Sequence, residues 1–216
     1  MNRPTILAIA THVSSTVPFF CPGCGGDRMA EVHDGRRRAY LGRLAIAPWF
    51  RTEPSISCTT CRSTHPTDAL DVLTTAELTA RLVDLTRVLT IMVVRTGEAG
   101  DRDLRRRAVQ HIRTVIPAYH QNRLDRDLAH LDPASVADHV APLAASIAIE
   151  GKERLVASMV QVALAAHTIT SHQRWLLDRA GTGLGLTPMH ITGIVTAVAS
   201  SVEPTTADWR PLTDDR

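Results

Sequence analysis

Phe20-Cys21-Pro22-Gly23-Cys24-Gly25-Gly26-Asp27-Arg28 decides how the first third of this chain folds, because Cys58-Thr59-Thr60-Cys61 answers it and the chain holds no other cysteine. Two loops that each offer two thiolates can close tetrahedrally on one ion. Pro22 fixes one turn dihedral, while the glycines after it admit positive φ and let backbone amides point at sulfur. That is the build of a metal knuckle. The expected ligands are Cys21, Cys24, Cys58 and Cys61, and the expected occupant is one structural Zn²⁺, which favours soft sulfur and four-coordination.

The 33 residues between Cys24 and Cys58 must leave the site and return to it, so strands are expected between the loops. Thr5 to Phe20 reads as a short hairpin turning at Ser14-Ser15, and Tyr40 to Phe50 as another strand region. His65, four residues after Cys61, can substitute for a thiolate, although a loop histidine there is more often a bystander. Arg36-Arg37-Arg38 is the one basic run of this first third. It suits phosphate, yet a solvated hairpin tip is the expected reading. A redox role for the cysteines is the rival chemistry, but Gly25-Gly26 stands where a redox motif opens a helix, and the second pair is then unexplained.

Composition changes after about Leu73, from Pro, Gly, Cys and aromatics to Ala, Leu, Val and Arg. The expected organisation is a β domain over 1–73, an all-α domain over 74–202 and a tail over 203–216 with Trp209 able to dock back. Thr74-Thr75-Ala76-Glu77 has the form of a capping box, followed by Leu78, Leu82, Leu85, Leu89 and Val93 at helical spacing. A second helix opens at Asp101 or Asp103, presents Leu104, Ala108, Ile112 and Val115, and stops by Pro117. Others are expected near 122–131, 133–147, 152–166, 171–184 and 187–202. Thr187-Pro188 marks the last start, and Gly183 and Gly185 end the helix before it. The Ala-rich stretches 141–148 and 156–166 are the expected close-packed centre.

Net charge excludes a strongly basic or acidic chain: residues 1–75 carry +2 and residues 76–216 carry 0. No run reaches the length of a membrane span, and Thr11, His12 and the serines interrupt the apolar start before a signal-peptide core forms. A reducing cytoplasm is the expected compartment. The chain has no Gly-x-Ser-x-Gly, phosphate-cradling or dinucleotide motif. His111, His120, His130 and His139 are scattered over separate predicted helices, and His167 and His172 stand at a helix start. No catalytic residue and no enzyme activity are expected.

The stretch from Val162 to Gln173 (Val-Ala-Leu-Ala-Ala-His-Thr-Ile-Thr-Ser-His-Gln), then Leu176-Leu177, Gly185-Leu186-Thr187 and Ile191, resembles the second half of the tellurite-resistance TerB family, whose pattern is V-A-x-A-D-G-x-I-S-x-x-E before L-G-L-[ST]. A fainter copy runs from Val93 through Gly97 to Asp103. Where the pattern has Asp-Gly and Glu, this chain has Ala166, His167 and Gln173, while the first copy has Thr96, retains Gly97 and puts Asp103 at the Glu place. Phe20 to Arg28, Pro48-Trp49-Phe50 and Cys58 to Cys61 look like the zinc ribbon fused to TerB-like domains in actinobacterial proteins. The resemblance implies an α+β chain, a zinc ribbon followed by a TerB-like bundle of six or seven helices. It also implies a scaffold or sensor in a stress or tellurite-resistance system, acting through protein partners, membrane-associated ones among the candidates. A nucleic-acid-binding ribbon is the alternative, and a thiol oxidoreductase a weaker one.

Overall fold

The computed structural model describes residues 7–41, 44–45, 50–166 and 168–202, so His167, Pro48-Trp49 and the expected tail over 203–216 lie outside the described residues. The fold is α+β: among the described residues an N-terminal antiparallel sheet is followed by seven α-helices. Two compact units divide between Ala80 and Arg81, inside the first helix, whereas the sequence suggested a division at 73/74 ahead of it.

The sheet consists of β1 (Leu7–Cys21), β2 (Gly26–Leu41), β3 (Leu44–Ala45), β4 (Phe50–Arg51), β5 (Ser55–Cys58) and β6 (Thr64–Pro66). Its order is β1-β2-β5-β6, with β3 and β4 also paired to β2. β1 and β2 are joined at the Cys21↔Gly26 pair, and β5 returns antiparallel to β2 with Ala30 opposite Cys58. β2 therefore leads the chain away from the first cysteine turn and β5 leads it back.

Ser14-Ser15 is not a turn. Val13 faces His33 and Ser15 faces Val32, so Ser14 is an extra residue in one long strand, its hydroxyl donating to the Val32 carbonyl at 3.1 Å. The expected hairpin fails because Phe19 and Phe20 find their partners, Arg28 and Asp27, across the cysteine turn instead. A second irregularity sets Asp34, Gly35 and Arg36 against His12 alone, with Gly35 at φ 76°. A Cβ at Gly35 would overlap the Thr52 carbonyl oxygen, and Thr52 N–H donates to the Gly35 carbonyl at 2.7 Å. Arg36, Arg37 and Arg38 follow inside β2, paired to β1 and β4, and are not at a hairpin tip.

The helices are α1 (Thr75–Thr96), α2 (Arg102–Arg113), α3 (Gln121–His130), α4 (Val136–Ala144), α5 (Ile149–Ala163), α6 (Ser171–Gly183) and α7 (Pro188–Val202). Val88 to Val94 are all buried in unbroken succession, and a helix buried on every side is the axis of its unit. Ile91 packs with Val109, Ile112, Tyr119 and Leu124. α5 contributes Val156, Met159, Val160, Val162 and Ala163 to the core. The other Ala-rich stretch does not: Ala141, Ala145 and Ala148 are exposed, since α4 buries only Val136, Val140 and Leu143.

The local stop and start signals act as their chemistry dictates. Thr74 and Glu77 form a reciprocal capping box, with Thr74 N–H donating to Glu77 at 3.0 Å and Glu77 N–H to Thr74 Oγ1 at 3.2 Å. Asp101 caps α2. Gly185, at φ 83°, ends α6 in a Schellman motif: its N–H reaches the Thr182 carbonyl, and Leu186 N–H reaches Gly181. Thr187 then caps α7 through His190 N–H at 3.3 Å.

Candidate metal centre

Each cysteine pair sits where a strand ends. Cys21 closes β1 and Cys58 closes β5, and both strands flank β2, so the turns that follow open at the same end of the sheet. The two turns repeat one geometry. Gly25 N–H donates to the Cys21 carbonyl at 2.9 Å, and Arg62 N–H donates to the Cys58 carbonyl at 2.9 Å. Gly25 (φ 67°) and Arg62 (φ 64°) are the left-handed residues that complete them. Thr59 pins the second turn to the sheet, its N–H and hydroxyl both donating to the Met29 carbonyl at 3.0 Å.

The four sulfurs lie within 4.8 Å of one another. The closest approaches cross between the motifs: Cys21 to Cys61 at 3.7 Å and Cys24 to Cys58 at 3.9 Å. Four sulfurs held tetrahedrally at about 2.3 Å from a shared ion are about 3.8 Å apart along each edge. The donor set therefore fits a metal ion at its centre. None of the four is in a disulfide, which requires sulfurs at about 2.05 Å.

Electrostatics point the same way. Cys61 is pulled down to about 6 by hydrogen bonds from the Ser63 hydroxyl and amide, and Cys58 is lowered chiefly by the Cys61 amide. Cys24 is pushed up to about 12 by its side-chain hydrogen bond with Cys61 and by burial. Thiolates crowded this closely cannot all ionise unless a cation shares their charge. Cys21 and Cys58 are buried and Cys61 is exposed, so the centre has an inner and an outer side.

Ser63 is the residue that sequence reading overlooked. Its hydroxyl lies 2.8 Å from Cys61 Sγ and 2.9 Å from His65 Nε2, while His65 is 4.0 Å from Cys21 Sγ. His65 thus meets the site both through Ser63 and directly at Cys21, and packs its ring 6.0 Å from Phe19. A serine two residues after a cysteine is too common to signal this by itself.

Among the described residues the four cysteines are the one group of three or more Cys, His, Asp or Glu placed to hold a metal. His120 caps α3 through Nδ1, accepting from Arg123 N–H, and His130 Nδ1 lies 2.7 Å from the Arg126 carbonyl. His111 is held toward its neutral form by burial and by Arg107, and its Nε2 has no partner among the described residues. At the positions where the TerB pattern is acidic, Gln173 is fully buried and committed: its amide accepts from Thr170 N–H at 3.0 Å and donates to the Val93 carbonyl at 3.2 Å. Thr170 also donates to the Thr96 carbonyl at 3.1 Å. No described helix is long and apolar enough to cross a membrane. Set against protein-family models, curated proteins and solved structures, the chain matches none of them.

Proposed function

We propose that this chain is a non-enzymatic, zinc-stabilised protein in which a zinc ribbon is joined to a TerB-like helical bundle, serving as a scaffold or sensor in a stress or tellurite-resistance system through protein partners. The observation that carries the reading is the sulfur tetrahedron, with cross-motif edges of 3.7 and 3.9 Å. Zinc is the ion chosen because its tetrathiolate sites are closed, tetrahedral and redox-inert. Such a site leaves no coordination position for a substrate water, which supports structure over catalysis. For the TerB-like part, the support is the sequence pattern together with a helix order in which the two pattern copies meet at Thr96, Thr170 and Gln173.

Elemental analysis of the native full chain tests the first half: one zinc per chain is expected, and none in Cys58→Ser. Affinity capture from the native cell, with cross-linking, tests the second. A specific protein recovered by the wild-type chain and lost with Cys58→Ser supports the scaffold role. A measured turnover, or capture of nucleic acid with no protein partner, overturns it.

A further inference from the structure

His120, the cap of α3, and Arg123, Arg126 and His130 recur at three- and four-residue spacing, which sets them along one face of that helix. With Ala118 and Asp127 they line an open cleft of about 490 Å³, and all four are exposed. The six residues belong to the helical unit, which holds no cysteine.

The carboxylate of this cleft is half engaged. Asp127 Oδ2 accepts from the buried Tyr119 hydroxyl at 2.8 Å and from Arg87 Nη1 at 2.8 Å, and Arg87 also holds Asp84. Asp127 Oδ1 meets no donor among the described residues. The two cleft arginines form no ion pair among the described residues. Arg123 lies over the Tyr119 ring, 5.5 Å from its centre, and Arg126 Nε reaches the Asn122 carbonyl at 3.4 Å. Backbone contacts orient both imidazoles. His120 Nδ1 accepts from Arg123 N–H at 3.2 Å, which leaves the proton of the neutral ring on Nε2. His130 Nδ1 lies 2.7 Å from the Arg126 carbonyl and must donate to it, which leaves Nε2 of the neutral ring an acceptor.

The cleft therefore combines two uncompensated guanidiniums and an imidazole N–H with two acceptors. A phosphate monoester answers the donors, with three oxygens and a charge of about −1.5 to −2 at neutral pH. Asp127 Oδ1 and His130 Nε2 call for ligand hydroxyls, which a sulfate ion does not carry. Ala118 is the one apolar side chain in the lining, so the anchoring side chain of a peptide finds no pocket here. We propose that this cleft binds a small hydroxylated phosphate ester of the sugar-phosphate class, its phosphate on Arg123, Arg126 and His120 and its hydroxyls on Asp127 and His130.

Isothermal titration calorimetry of the full metal-loaded chain in chloride buffer, with ribose 5-phosphate and glycerol 3-phosphate as probes, tests this. Saturable binding of at least one ester is expected, with free ribose silent and sulfate about ten-fold weaker. Arg126→Ala should weaken ester binding about ten-fold, and Arg123→Ala with Arg126→Ala about a hundred-fold, since each removes a charge-assisted contact. His130→Ala should cost the ester about five-fold and leave sulfate unchanged. Arg154→Ala removes the same charge from α5, outside the cleft, and should leave binding as it was. Circular dichroism verifies each variant; should the double variant misfold with the Tyr119 ring uncovered, Arg126→Ala and His130→Ala carry the test. No binding of either ester, sulfate bound as tightly as the esters, equal losses in Arg154→Ala and Arg126→Ala, or tighter binding of a phosphopeptide or an oligonucleotide overturns the proposal.

Discussion

Arg62 occupies a left-handed conformation at φ 64°, at the position where the first cysteine turn uses Gly25. A side chain there costs about 1–2 kcal/mol, of which the extra unfolded-state freedom of glycine would return about half. Arg62→Gly should therefore stabilise the metal-loaded chain by about 0.5–1 kcal/mol. A denaturant midpoint that moves downward in that variant would show that the turn is not strained. Asp27 makes a different local contribution: its carboxylate accepts from Thr75 N–H at 2.8 Å and Ala76 N–H at 3.2 Å, the opening amides of α1. The Thr75 amide is the main cause of a carboxyl held below its ordinary range. A group whose folded value is depressed contributes stability above its unfolded value, near 3.9, and loses it as pH falls through the folded value. Asp27→Asn should thus be less stable than wild type at neutral pH, with the gap closing in acid. A gap that persists unchanged to about pH 2 would place the effect elsewhere.

At the scale of elements, α1 carries the helical unit. Leu89 is buried at 1% exposure, whereas Met189 on α7 is 80% exposed. Leu89→Ala should cost about 2–5 kcal/mol, a large share of a typical domain's stability, and Met189→Ala within about 0.5 kcal/mol of nothing. Thermal melts of the two variants check the contrast, and similar losses would mean that α1 is not the axis. Gln173 joins two elements by bridging the end of α1 to the start of α6. In Gln173→Glu the Val93 carbonyl loses its donor while the carboxylate is ionised. Burial raises the folded value of that carboxyl above the unfolded one, near 4.3, so the variant is weakest at neutral pH and recovers as acid restores an O–H donor. A variant that is no less stable at pH 7 than at pH 5 would contradict that geometry. The signals legible in the sequence were those contained within one turn: the Thr74–Glu77 box, the Gly185 stop and the Thr187 cap. What it could not convey depended on a partner far along the chain. Ser14-Ser15 reads as a turn until Phe19 and Phe20 are seen pairing across Gly26, and Ala141–Ala148 reads as core until α4 is seen to bury its valines instead.

For the molecule as a whole, the site's four cysteines were legible because nothing else in the chain competes for their chemistry, while Ser63 became visible only when the second turn brought it against Cys61. The energetics of the sheet unit make that centre decisive. Among the described residues its buried cluster has two large side chains, Phe19 and Ile56, with Cys21, Ala30 and Cys58 around them. Burying those two supplies about 5 kcal/mol, while ordering each backbone residue costs about 1–2 kcal/mol. A bound structural zinc contributes about 10–16 kcal/mol in comparable small modules, enough to decide whether the sheet forms. The helical unit draws its core from its own residues, Leu85 through Ile191, and holds no cysteine. Treating the full chain with a strong zinc chelator should therefore abolish amide-exchange protection in β1, β2, β5 and β6 while residues 88–94 stay protected, and added zinc should restore the sheet. Cys58→Ser should reproduce the chelated state without chelator. If elemental analysis finds the chain stripped of metal and the strands are still protected, burial alone holds the sheet and the metal is a passenger; if α1 loses protection as well, its core does not stand on its own residues.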